Sequence, residues 1–318
     1  MDFTFKTYEN LLNTLLMRGF SFMSFSEHLE AKFYTEQSPS ASNFESLNPG
    51  SPERRHDDTG LQSRERSDSG LNLESLNLPS CGQQAGLESS NLIILRHDVE
   101  ARYPNALRMA QIQHKLGIKG TYYFRIYPKS GNEAIINQIA ALGHEIGYHY
   151  DDLTACKGDH QKAIERFQKN LSYLRQFAPV QTICMEGAPE SSYNNQDLWK
   201  KYDYANFGIN SEAYLDLDFD KVYYLTDTGR RWDGKFAVRD KAMWGQEEKD
   251  SKIRRKEYRE LRYRHTKDII KAIEEGSFPD RAMLTFHPQR WNDNWFPWVK
   301  ELVWQNVKNQ GKRFLVRG

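Results

Sequence analysis

Leu92-Ile93-Ile94-Leu95-Arg96-His97-Asp98-Val99-Glu100 decides how this 318-residue chain folds. Four consecutive aliphatics with no polar alternation suit a strand covered on both faces, as in a parallel sheet. The run then stops abruptly in ionisable residues. Downstream, Pro104 opens a helical pattern through Ala106, Met109, Ala110, Ile112 and Gln113 that ends at Gly117. Thr121 to Ile126 reads as a strand. Residues 132–141 read as a helix with Ile135, Ile136 and Ile139 on one face and Gly143 as its stop, and Glu145 to His149 read as a third strand. Strand, helix, strand, helix, strand calls for parallel pairing with crossover helices. Ligands of such sheets bind at the carboxyl ends of the strands, where Asp98, Glu100 and His149 fall.

Before this stretch, Tyr8, Leu11, Leu12, Leu15 and Leu16 recur at helical spacing within 6–18. Residues 20–25 alternate like a strand, and 26–33 suit a short helix. From 35 to 90 the composition turns to Ser, Asn, Gly, Glu, Gln and Pro, with echoes such as Phe44-Glu45-Ser46-Leu47-Asn48 and Leu73-Glu74-Ser75-Leu76-Asn77. Such a segment buries too little apolar surface to offset its ordering entropy, so it reads as a disordered surface insertion. The expected organisation is a helical lead-in over 1–34, the insertion over 35–90, and an α/β unit over 91–318. Further helices are expected at 160–177, 193–202, 247–275 and 295–310. Strands are expected at 181–185, 222–228, 282–287 and 313–317, with strand-like alternation at 214–220. This repetition suits a closed or nearly closed β/α barrel better than an open sheet.

The formal charge is +1, from 44 basic and 43 acidic side chains, which gives no electrostatic case for nucleic acid or a membrane surface. Cys81, Cys156 and Cys184 form no CxxC pair and no disulfide framework, as expected of a reducing compartment. No stretch approaches the roughly 20 apolar residues of a membrane span. Nor does a charged head precede an apolar run at Met1. The expectation is a soluble, cytoplasmic protein.

Asp98 and Glu100 share a strand face if the strand continues through them. Two carboxylates there are costly unless a cation or proton lies between them. Alternation within 144–152 puts Glu145, Gly147, His149 and Asp151 on one face. Carboxylate plus imidazole suits Zn first, with Fe, Co or Mn as alternatives. His287 ends Leu284-Thr285-Phe286-His287 and suits a proton donor, or else a packing role beneath Trp291. Arg230, Arg231 and Trp232, with Asp233, read either as a substrate-facing loop with an aromatic platform or as a buried ion pair beside Trp packing. His144 reads as a loop or packing residue.

Arg96-His97-Asp98-Val99-Glu100, Gly143-His144-Glu145-Ile146-Gly147-Tyr148-His149 and Leu284-Thr285-Phe286-His287-Pro288 resemble, in order and spacing, the NodB-type polysaccharide deacetylases of carbohydrate esterase family four. The nearest branch is the one that reads His-Asp-Val-Asp in its first motif. The resemblance implies a distorted β/α barrel, a divalent metal and removal of an acetyl group from an acetylated sugar or glycan. It makes Asp98 the base, His287 the acid, and Glu100 and His149 metal ligands. Three positions depart from the pattern. Glu100 stands for Asp, Leu153 occupies the place of a second histidine, and Glu186 lies in a loop that often carries Arg or His, where it is read as substrate-facing. These departures keep two other readings open: a barrel without strong metal binding that acts as a carbohydrate-binding or scaffold protein, and another metal-dependent hydrolase. The sequence does not indicate an oligomeric state.

Overall fold

The computed structural model describes residues 1–37, 91–126, 133–188, 191–232, 261, 263–296 and 298–305. Nearly all of the expected insertion, Asp233, most of the 247–275 helix and the 313–317 strand lie outside these residues. The elements are α1 (Phe5–Met17), β1 (Ser21–Met23), α2 (Phe25–Gln37), β2 (Leu92–Val99), α3 (Tyr103–Lys115), β3 (Thr121–Phe124), α4 (Glu133–Ala141) and β4 (Glu145–Tyr150). They continue with α5 (Asp152–Ala155), α6 (His160–Leu174), β5 (Thr182–Met185), β6 (Ser211–Glu212), β7 (Tyr223–Thr226), α7 (Thr266–Glu274) and β8 (Arg281–Phe286).

All eight residues of β2 are buried, because β2 is bordered on both edges as well as both faces. One edge pairs with β8 over Leu92–His97. The other is shared end to end by β1, opposite Leu92–Ile94, and β3, opposite Arg96–Val99. Every pairing is parallel, and the main path runs β6-β5-β4-β3-β2-β8-β7. The result is a curved parallel half-barrel with helices outside it. Among the described residues β6 and β7 are edge strands, so the sheet is open between them rather than closed.

Alternation divides the side chains into two layers. Ile94, Tyr123, Cys184, Tyr224 and Met283 fill the concave side together with Phe25, Ala213, Leu217 and Val222. The outer residues of β2, β8 and β7 pack on α1 and α7, and those of β3, β4 and β5 pack on α3, α4 and α6. On the inner face of β4, Glu145 closes the amino end of the sheet. Its carboxylate accepts from the Ser26 amide (3.0 Å) and from the hydroxyls of Thr121 (2.7 Å) and Thr182, and so tethers the start of α2. His149 lies at the opposite, carboxyl end of the same strand.

Two local expectations change. Residues 195–200 form a 3-10 turn rather than a longer α-helix, started by Asn194, whose side chain accepts from the Gln196 amide. The alternation at 214–220 is not a strand, because Glu212 Oε2 accepts from the amides of Tyr214 (2.8 Å) and Leu215 (2.9 Å) and bends the chain into turns directly after β6.

Gly147 sits between these two ends. A Cβ there would lie 2.3 Å from Tyr123 Cδ1, and that ring is fixed by its own hydroxyl bond to Thr182 Oγ1 at 3.2 Å. Gly147→Ala should therefore destabilise the protein by about 1–3 kcal/mol through overpacking, read as a lower denaturant midpoint with unchanged slope.

Candidate active site

The site is assembled by strand ends. β2 delivers Asp98 on its inner face, two residues beyond Arg96, so both point into the barrel. Arg96 Nε and Nη2 each donate to one Asp98 oxygen at 2.8 Å, and Nη2 also donates to the Tyr214 hydroxyl at 2.9 Å. The guanidinium stacks 4.3 Å over the Tyr214 ring. Burial alone would raise the Asp98 pKa. Arg96, followed by His149 and His287, more than offsets this and holds the carboxyl well below its usual range. Glu100, half-buried just past β2, has its pKa raised by burial and then by the neighbouring Glu186 charge.

His149 is buried at the end of β4. Its Nδ1 lies 3.0 Å from the Cys184 carbonyl, an acceptor only, which fixes the proton on Nδ1 and directs Nε2 into the site. There Nε2 meets Glu186 Oε2 at 3.0 Å. Desolvation opposes charge on this imidazole, but Asp98 and Glu186 outweigh it and bring the pKa up to about 9. Ligand atoms of Glu100, His149 and Glu186 lie within 4.8 Å of one another, as do those of Asp98, His149 and Cys184.

His287 follows β8. Its Nε2 faces Glu100 Oε1 at 3.5 Å and Asp98 Oδ2 at 3.9 Å. Behind it, Nδ1 lies 2.6 Å from Asp227 Oδ1. Asp227 also accepts from the His287 amide (3.0 Å), Trp291 Nε1 (2.7 Å) and Arg290 Nη1 (2.7 Å). Burial pushes the Asp227 pKa up, but His287 and Arg290 bring it below the ordinary value.

No family model matches the sequence, and no curated protein matches it. Solved structures do. One is a pseudoenzyme of family CE4 from Bacillus anthracis, with 12% identity, a TM-score of 0.38, and coverage of 71% of this chain and 62% of that one. Another is the CE4 domain of a multidomain xylanase from the hindgut metagenome of Trinervitermes trinervoides (13%, TM-score 0.37, 70% and 84%). A third is the catalytic domain of a peptidoglycan N-acetylglucosamine deacetylase from Eubacterium rectale (11%, TM-score 0.36, 68% and 84%). The similar structures are CE4-type deacetylases and a CE4 pseudoenzyme. The chain spans less than two thirds of the length of the pseudoenzyme, and the roles proposed below rest on its own geometry.

That geometry brings Asp98, Glu100, His149 and His287 together. Glu186, expected to face substrate, lies instead against His149 Nε2 among the candidate ligands. Arg230 and Trp232 are not at the mouth. Trp232 is 2% exposed, packs on Phe286 and Trp291, and donates Nε1–H to Thr266 Oγ1 at 3.0 Å. Arg230 is clamped between the rings of Phe3 (5.1 Å) and Trp298 (4.7 Å). This is the packing alternative, produced by the N-terminal segment covering the loop. Arg231 beside them is half-buried. His144 packs as expected, with Nε2 2.9 Å from the Ala110 carbonyl. Asp151 and Asp152 are occupied by Arg125 and Arg166. Leu153 is buried in the outer apolar layer.

Two participants escaped the sequence reading. Asp227 ends an apolar strand, the same signal that drew attention to Asp98, but its target lies on another strand. Arg96 was visible in the opening stretch and had no assigned partner. Removing it leaves a buried carboxylate unpaired, so Arg96→Met should cost about 3–5 kcal/mol. Equilibrium denaturation checks this, with the double variant Arg96→Met/Asp98→Leu expected to recover much of the loss.

Proposed function

We propose that this chain is a metal-dependent hydrolase that removes an acetyl group from an acetylated sugar or glycan. The supporting observation is the pairing of a buried, ionised Asp98 with His287 Nε2 at 3.9 Å. Each is braced from behind by a partner of opposite charge or matching hydrogen bonding, Arg96 for one and Asp227 for the other.

The donor chemistry fits a divalent cation. Asp98, Asp227, Asp151 and Asp152 each have a guanidinium within 2.8 Å. Among the described residues Glu100 and Glu186 have none that close, the nearest being Arg125 at 4.0 Å from Glu186. That leaves two carboxylates whose close counter-groups are the His149 and His287 rings, with His149 Nε2 turned toward them. Glu100 and His149 would hold the ion, with Zn foremost and Fe, Co or Mn as alternatives. When bound it supplies Lewis-acid polarisation of the acetyl carbonyl.

The chain's own residues supply the proton transfers. Asp98 stays ionised to low pH and accepts the proton of the attacking water. Although Arg96 engages both its oxygens, a carboxylate offers about four acceptor positions, so free lone pairs remain. Protonated His287 gives its Nε2 proton to the departing sugar nitrogen or oxygen as the bond to the acetyl carbon breaks, yielding acetate and the free amine or hydroxyl. Asp227 keeps the ring oriented with Nε2 toward the site.

Leu153 in place of a second imidazole favours one alternative, a sugar-binding barrel without strong metal affinity. Metal content after purification without added metal separates the two readings. Among the described residues no helix is long and apolar enough to cross a membrane. The proposed setting is soluble and cytoplasmic.

Asp98→Asn should reduce acetate release from acetylated oligosaccharides or nucleotide sugars by about 10²–10⁴-fold while leaving metal content largely intact. Full activity in this variant would remove Asp98 from the role of base.

A further inference from the structure

We infer that Glu186 is the third protein ligand of the metal site, supplied by β5 in place of the imidazole absent at Leu153. The inference rests on the metal-dependent reading above and assigns a ligand that reading leaves open. The position after β4 that would carry a second donor, in α5, is closed, since Leu153 is 2% exposed and turned into the outer apolar layer.

β5 offers a substitute by register. His149 pairs with Cys184, so the residue two further along β5 projects over the same inner face, above His149. The ladder continues to that point, because the Glu186 amide donates to the Tyr150 carbonyl at 2.8 Å. The Glu186 carbonyl accepts from Asn195 Nδ2 (2.9 Å), and Asn195 Oδ1 accepts from the Thr154 amide (2.9 Å), which ties the position to α5. The Glu186 backbone is therefore held through both its amide and its carbonyl and behaves as part of the sheet.

Its side chain ends against the His149 ring. Oε2 is buried and accepts no hydrogen bond of acceptable geometry, although Nε2 of His149 is only 3.0 Å away. Without a metal this contact is an ion pair carried by a proton on Nε2, the position that a divalent cation would take. Glu100 brings the third donor within 4.8 Å.

The competing set of Asp98, His149 and Cys184 is weaker. The Asp98 charge is already paired with Arg96 at 2.8 Å, and Cys184 is a fully buried thiol that would have to lose its proton beside acidic neighbours.

The test measures Zn²⁺ and Mn²⁺ affinity separately, by competition with a chelating indicator, in full-length wild type, Glu186→Gln, Glu186→Ala and Cys184→Ser. Thermal unfolding without metal confirms that each variant is folded. Both Glu186 variants are expected to lose at least tenfold in affinity, Ala at least as much as Gln because an amide oxygen can still coordinate, and Cys184→Ser should stay near wild type. Wild-type affinity in Glu186→Ala, or a loss confined to Cys184→Ser, overturns the assignment while leaving the deacetylase reading standing if acetate release persists. A wild-type protein that binds neither ion overturns both.

Discussion

Charge placed inside a β/α barrel has to be answered locally, and the Arg96–Asp98 pair shows how this chain does it. The guanidinium lies on the same strand face as the carboxylate it serves, so β2 brings its own counter-ion into the barrel. Asp227 is answered in the same way by Arg290, and Asp151 and Asp152 by Arg125 and Arg166. Because these pairs are satisfied, Glu100 and Glu186 are the carboxylates left with imidazoles, and no guanidinium this close, for counter-groups. A preorganised imbalance of this kind gives a cation a defined place to sit, where a fully neutralised pocket would not.

The same arrangement divides labour between two kinds of carboxylate. Asp98 and Asp227 are clamped by several donors and held low in pKa, so they serve as fixed acceptors. Glu100 has its pKa raised by burial and by its acidic neighbour, as befits a group whose charge is incompletely compensated. Environment rather than residue type separates the roles.

Much of this was legible in the sequence because parallel sheets obey local rules. An unbroken aliphatic run predicts a doubly covered strand, and the residues that end it must lie at the binding edge. Asp98, Glu100, His149 and His287 were found on that basis, and they converge. The rest depends on non-local facts. Whether Trp232 faces solvent or core depends on Phe3 and Trp291, which approach from the two ends of the chain. The position of Glu186 beside His149 requires the β4–β5 register, and strand propensity does not specify register. Glu212 bends the chain after β6 through side-chain bonds to backbone amides, and these defeat the alternation that suggests a strand at 214–220.

Strand alternation also means that His97, next to Asp98 in sequence, points out of the barrel. Its ring stacks on Tyr122 at 4.1 Å, and its Nε2 meets the Tyr8 hydroxyl of α1 at 3.0 Å, with Gln113 bonded to the same hydroxyl. The amino-terminal helix thus acts as a splint on the convex side of β2. Any slackening of α1 would reach the reacting carboxylate through one peptide unit, so the leading residues belong to the mechanical frame of the pocket despite lying outside it.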